Sequence, residues 1–285
     1  AYFKAREQKS SSPEVQKFHQ HWQYNLCILM KELKKKTYQS KPLRQFVLRD
    51  PKTRLISVSD FRDRVVHHAL VNILQPTFEP RFIYDSYASR KGKGTLAALQ
   101  RFDEFKRKAS HNGQLLPHAR NNNDVRGFVF KADIKHYFQT VDREVLLAIL
   151  RKKITDENIV WLIHIILENY DSGISGRGMP LGNWTSQFFA NVYLNELDQF
   201  VKHTLKVKYY IRYVDDFVII HPSAKVLQEY ILQIREFLYT FLKLELHPDK
   251  CQIIPLRQGV PFLGFRIFYH YKLPSRKNIH RIQGK

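Results

Sequence analysis

The sequence predicts an α+β fold in which an antiparallel sheet is backed by helices. Two segments carry that expectation. GFVFKADI at 127–134 is a compact apolar strand, and VKYYIRYVDDFVIIH at 207–221 has apolar arms on both sides of an acidic centre. The second reads as a β-hairpin whose tight turn holds Val214 and Asp215. Between and after them, 142–154, 156–169, 186–204 and 223–242 read as helices, and KLELHPDKCQII continues as a turn flanked by short strands. The order strand, helices, hairpin, helix, strand is a split β-α-β arrangement.

Upstream, residues 1–12 are polar and read as loose. Pro13 opens a helix to about Lys36, with Phe18, Trp22, Leu26, Leu29 and Leu33 near a 3.6-residue period. RQFVLRDPKTRLISV reads as two short strands joined by a Pro-containing turn. The next stretch is helical, with Asp60 or Asp63 in its first turn and a stop before Pro76. A loop at 81–94 ends in RKGKG, and 95–109 reads as a helix. Residues 110–124 hold turn formers and few large apolar side chains, which marks a surface loop. DSGISGRGMPLGNWTSQ at 171–187 is a Gly-rich connector, and GVPFLGFRIF opens a last hairpin.

With 285 residues and 44% apolar composition, the chain can bury a sizeable core, which excludes disorder as a description of the whole. Its 47 Lys and Arg against 26 Asp and Glu leave +21, and an excess of that size points to a polyanionic partner. Cys27 and Cys251 are isolated, so neither a disulfide framework nor a cysteine zinc site is expected. No stretch reaches the length of a membrane span and no signal-peptide pattern opens the chain, so a cytoplasmic protein without membrane partners is expected.

Asp133 ends an apolar strand, and Asp215 and Asp216 sit at the tip of an apolar hairpin. Carboxylates in such places are costly unless something positive meets them. An ion pair with a lysine plus an ordinary turn Asp would explain them, and so would a metal site. If strand 127–134 pairs with the hairpin, Asp133 and Asp215 converge at one sheet end. They could then hold two Mg²⁺ ions about 3.5–4 Å apart, with the Ile134 carbonyl completing the shell. Asp216, one residue on, is expected on the other strand face.

Tyr213-Val214-Asp215-Asp216 resembles the YxDD box of reverse transcriptases. DIKHYF at 133–138 resembles their first catalytic palm motif, and GMPLGNWTSQFFANVYLNELD at 178–198 the helix motif between the acidic motifs. LHPDK at 246–250 and FLGF at 262–265 resemble the lysine motif and the primer-grip hairpin. Upstream, 50–70 and 82–99 resemble the finger motifs of prokaryotic and phage enzymes. Group II intron enzymes carry a QGxxxSP core where this chain has Leu181-Gly182-Asn183-Trp184-Thr185-Ser186-Gln187. The aliphatic residue and the Gln resemble diversity-generating retroelement reverse transcriptases, and so does the compact finger region with RKGKGT in its second motif.

The resemblance implies a right-hand polymerase fold. An N-terminal basic helical extension would cover 1–43, fingers 44–126, the first part of the palm 127–143 and connecting helices with a Gly-rich loop 144–185. The second part of the palm with the primer grip would cover 186–268, and the start of a link to a thumb 269–285, the thumb being largely absent from the chain. It implies an RNA-directed DNA polymerase that adds dNTPs to a primer on template RNA with two Mg²⁺ ions, replaceable by Mn²⁺. It also implies errors opposite template adenines and leaves room for a small accessory subunit. Asp133 and Asp215 would be the metal ligands proper with Asp216 in support, and Lys250 would serve the leaving pyrophosphate. Phe138 would be the steric gate against a 2′-hydroxyl. Lys52, Arg54 and Arg90 would meet triphosphate or template. Leu181, Gly182, Gln187 and Tyr213 would border the nascent pair. Two readings stand beside this one: a reverse transcriptase of intron-derived or defence type, and a catalytically silent nucleic-acid-binding scaffold.

Overall fold

A computed structural model describes residues 1–7, 9–49, 53–275 and 279. Three helices come first: α1 (Tyr2–Arg6), α2 (Pro13–Gln20) and α3 (Trp22–Lys34). The opening segment is therefore not loose. Tyr2 and Ala5 are buried with Val15, Leu29, Phe61 and Val65, and that apolar cluster orders α1. The expected single helix from Pro13 is broken at His21, whose φ of −129° and ψ of 39° leave helical space.

Strands β1 (Arg44–Leu48) and β2 (Arg54–Val58) pair antiparallel and lead into α4 (Phe61–Phe78). Asp60 caps α4 by accepting from the Arg62 N–H. Asp63 is instead buried and accepts from the Tyr38 hydroxyl and the Lys41 N–H. The helix also runs through Pro76 rather than stopping before it. Pro76 falls in the last turn, so only one ladder bond is forfeited.

Helix α5 (Thr95–Ala109) precedes strand β3 (Phe128–Asp133), and the segment between them folds back on itself through a Leu115–Val125 bridge. A one-turn α6 (Tyr137–Thr140) follows, then α7 (Arg143–Arg151) and α8 (Glu157–Glu168), whose first turns are capped by Asp142 and Asp156. Helix α9 (Trp184–Gln199) ends in a π-helical turn, Phe200–Thr204. Strands β4 (Tyr210–Tyr213) and β5 (Asp216–His221) form the expected hairpin, and α10 (Ala224–Leu242) leads to β6 (Gln252–Pro255). Strands β7 (Val260–Phe262), β8 (Phe265–Ile267) and β9 (Lys272–Pro274) make a final antiparallel sheet.

The chain divides into two units, described separately. One comprises residues 1–81 and 136–193, the other 82–135 and 194–285. The second holds the antiparallel sheet β4-β5-β3-β6. Strand β3 is central because its apolar residues can be buried on both faces. Val129, with Ile211, Val218 and Ile220, packs against Leu99, Phe102 and Phe105 of α5. Phe130, Phe217 and Tyr210 stack edge-on, on the face opposite to Val129 by strand alternation. Each such side chain contributes on the order of 1.5–3 kcal/mol of burial. The first unit gathers α1–α4 around Phe61, Val65 and Val66, with Trp161, Leu162 and Ile165 of α8 at its margin.

Candidate active site

Apolar strands bring the acidic residues together. Asp133, the last residue of β3, is the Cα partner of Asp216, the first residue of β5, and Tyr213 is the partner of Asp216 from the other side. Directly opposed residues of an antiparallel pair share a face. Asp216 therefore lies across from Asp133, while Asp215 occupies the turn between β4 and β5. Val214, the first residue of that two-residue turn, has a φ of 55°. Positive φ there is the pattern of a type II′ turn, a position that favours Gly.

Lys250 Nζ meets Asp133 Oδ1 at 2.9 Å. The chain beyond β3 is clamped to the segment that carries Lys250: His247 N donates to the Asp133 carbonyl, and Lys135 N to the Glu245 carbonyl. Those bonds flank the Ile134–Leu246 bridge and leave the Ile134 carbonyl outside that ladder. Burial, then the charge of Asp216 and that of Asp133, push Asp215 up to about 6, against the opposing pull of Lys250. Lys250 thus offsets only part of the negative charge that acts on Asp215.

That imbalance tests the expected Mg²⁺. Among the described residues, no group of three or more His, Cys, Asp or Glu side chains is arranged to hold a metal ion. Mg²⁺ needs no such cage. It is commonly bound by one or two carboxylates, with water and substrate phosphates completing the octahedron. Half-buried, mutually repelling carboxylates at the open end of a sheet fit that demand.

The remaining expected residues are distributed as follows. Phe138 is half-buried on α6, its ring 5.4 Å from that of Tyr137 and its carbonyl accepting from the Met179 N–H. Arg54 is exposed at the first position of β2, and Lys52 lies outside the described residues. The Nη1 of Arg90 donates to the carbonyls of Ile83 and Ser86, so this arginine ties its own loop together. Tyr213 accepts from the Thr95 hydroxyl. The Leu181 carbonyl accepts from Ser57 N, and a Cβ on Gly182 would come within 2.9 Å of Ile56 Cγ2. The close approach that Gly182 permits here is to β2. Gln187 is half-buried in the first turn of α9.

A sequence model for "Reverse transcriptase (RNA-dependent DNA polymerase)" matches residues 33–267. The chain belongs to the reverse transcriptase family. It is a family of nucleotidyltransferases, and the paired carboxylates at the sheet end agree with that chemistry. Protein YkfC of Escherichia coli is 27% identical over 282 residues, covering 85% of this chain and 71% of that protein. The group II intron-encoded protein LtrA of Lactococcus lactis is 25% identical over 309 residues, covering 84% of this chain. The chain spans about half, 49%, of LtrA. Telomerase from Candida tropicalis, solved with a fragment of telomeric RNA, superposes with a TM-score of 0.60 at 13% identity over 90% of this chain and 48% of its own. That likeness speaks to the fold alone.

These relatives overturn the diversity-generating assignment. Curated proteins similar to this chain include the group II intron-encoded protein LtrA, and nuclear intron maturase 1 of Arabidopsis thaliana at 27% identity over 117 residues, 41% of this chain and 14% of that one. The assignment rested on Leu181 and Gln187 in one connector and on RKGKGT in the compact finger region. Leu181 is half-buried, and its backbone carbonyl is bonded to β2. A residue that the sequence reading passed over is Arg212, fully buried one residue before the YVDD box. A charged residue inside an otherwise apolar strand was the available signal.

Proposed function

We propose that this chain is the catalytic part of an RNA-directed DNA polymerase of the group II intron-encoded kind. The observation that carries the reading is the gathering of Asp133, Asp215 and Asp216 at one end of the palm-like sheet, with Lys250 as their cation. Asp133, Asp215 and Asp216, with the Ile134 carbonyl, would hold Mg²⁺, or Mn²⁺ in its place. The bound ions would activate a primer 3′-hydroxyl and offset charge on the transferring phosphoryl group.

The chain's own groups would do the rest. Lys250 neutralises Asp133 in the free protein, and its ammonium would turn to the leaving pyrophosphate once cations take over that task. Arg54, with Lys52, would meet the incoming triphosphate, and Arg90 would support that loop. Phe138, five residues after Asp133 in sequence, would exclude a 2′-hydroxyl. Leu181, Gly182, Gln187 and Tyr213 would border the nascent pair. The charge of +21 supplies sequence-independent attraction for template RNA and primer.

Primer extension on a defined RNA template tests this, with dNTPs and NTPs offered separately and Asp215→Asn beside the wild type. DNA product lost in the variant is expected. Retention of template and primer without extension, by wild type and variant alike, would point instead to a nucleic-acid-binding scaffold.

A further inference from the structure

We propose that Arg212, anchored by Asp198, is a positioning residue that holds the Val214–Asp215 turn in the conformation that aims Asp215. The proposal rests on the polymerase reading of that site. Both side chains are fully buried. The Arg212 guanidinium grips Asp198 with two bonds, Nε to Oδ1 at 2.8 Å and Nη2 to Oδ2 at 2.6 Å. The Tyr210 hydroxyl adds a third bond to the carboxylate, donating to Oδ1 at 2.8 Å. This satisfies the carboxylate and leaves Nη1 for another acceptor, the Val214 carbonyl at 3.1 Å.

That acceptor is what separates a positioning role from simple core cohesion. Val214 is β-branched yet has a φ of 55°, a conformation that a β-branched side chain strongly resists. Something must hold the turn there, and the Arg212 Nη1 is bonded to the strained residue itself. The strut is rigid at its base. Arg212 N donates to the Asp85 carbonyl, its carbonyl accepts from Tyr87 N, and the Asp85 carboxylate is bound by Arg101 at 2.8 Å. Asp198 comes from the last turn of α9, immediately before the π-helical turn. Helix and turn are thereby linked through one guanidinium. Strand alternation puts Arg212 on the sheet face opposite Asp133 and Asp216, so it steadies the site from behind.

Removing one member of a buried ion pair strands the other, so Arg212→Ala would report mainly unfolding. Two other variants avoid this. Asp198→Leu/Tyr210→Phe/Arg212→Met replaces the whole polar group by apolar side chains of similar volume. Arg212→Lys keeps the charge beside Asp198 but has no fork to span both acceptors. Each is measured for its thermal midpoint, for kcat and KM in primer extension, and for Tb³⁺ luminescence as a probe of the carboxylates. A largely retained midpoint is expected, with KM little changed and kcat and Tb³⁺ affinity both lowered roughly 10–100-fold. Adding Val214→Gly, which adopts the turn without strain, is expected to restore part of both.

Wild-type kcat and Tb³⁺ affinity in Arg212→Lys would overturn the proposal. So would losses that Val214→Gly does not relieve, since those belong to packing. If the wild type itself makes no DNA, the polymerase reading fails, while the Tb³⁺ titrations still decide the role of Arg212.

Discussion

Asp215 is held where a carboxylate is least comfortable, half-buried and facing two others, and Lys250 answers only part of that charge. Such a group is retained for its chemistry rather than for stability. Asp133→Asn and Asp215→Asn are each expected to lower extension by roughly a thousandfold or more, because each removes several kcal/mol of charge stabilisation. Their thermal midpoints should not fall, which melting beside the activity assay checks. Phe138→Ala is expected to narrow the preference for dNTP over NTP, read as the ratio of the two kcat/KM values. His67 makes a different prediction. It is buried, with its Nδ1 unbonded, and burial together with His68 and Arg64 pushes it down to about 3. Its folded pKa lies below the unfolded value, so neutral imidazole is favoured in the fold. Stability is therefore full above about 6.5 and falls as pH drops from there towards 3. His67→Leu should flatten the thermal midpoint between pH 7 and pH 5 relative to wild type.

At the scale of elements, the hairpin and β3 were legible because their patterns are local: apolar arms, a two-residue turn, and an acidic residue at each relevant end. The split of the first long helix at His21 was not, since Phe18, Trp22 and Leu26 continue the period across the break. Nor was α1, whose order comes from Tyr2 meeting Phe18, Trp22 and Phe61. The connector at 181–187 was legible as a motif, but what Gly182 meets was not. Its φ is 124° and a Cβ there would crowd Ile56 and the Ser57 carbonyl. Gly182→Ala is expected to cost about 1–3 kcal/mol in denaturant unfolding, combining strain with overpacking against β2. Asp60→Ala, which removes the cap bond and an exposed ion pair with Lys41, should cost about 1 kcal/mol.

For the whole molecule, the charge of +21 predicts nucleic-acid affinity that falls steeply and linearly in log–log form with salt. Binding of an RNA–DNA duplex measured between 50 and 200 mM salt should weaken by several orders of magnitude if roughly 6–10 phosphates are contacted. A flat response would mean that the basic surface is not the binding surface. Among the described residues no helix is long and apolar enough to cross a membrane. By itself the sequence determined the strands, the order of the acidic motifs and the cationic excess, because periodicity, turn chemistry and charge are properties of short stretches. It did not determine the lineage, which two residues of one connector and a short finger motif are too few to carry. Only the tertiary structure decided that Asp216 stands opposite Asp133, that Lys250 neutralises Asp133, and that Arg212 reaches back to Val214. Those contacts join residues that strand register and the α9 terminus bring together, and register is set by the burial of whole faces rather than by any single residue.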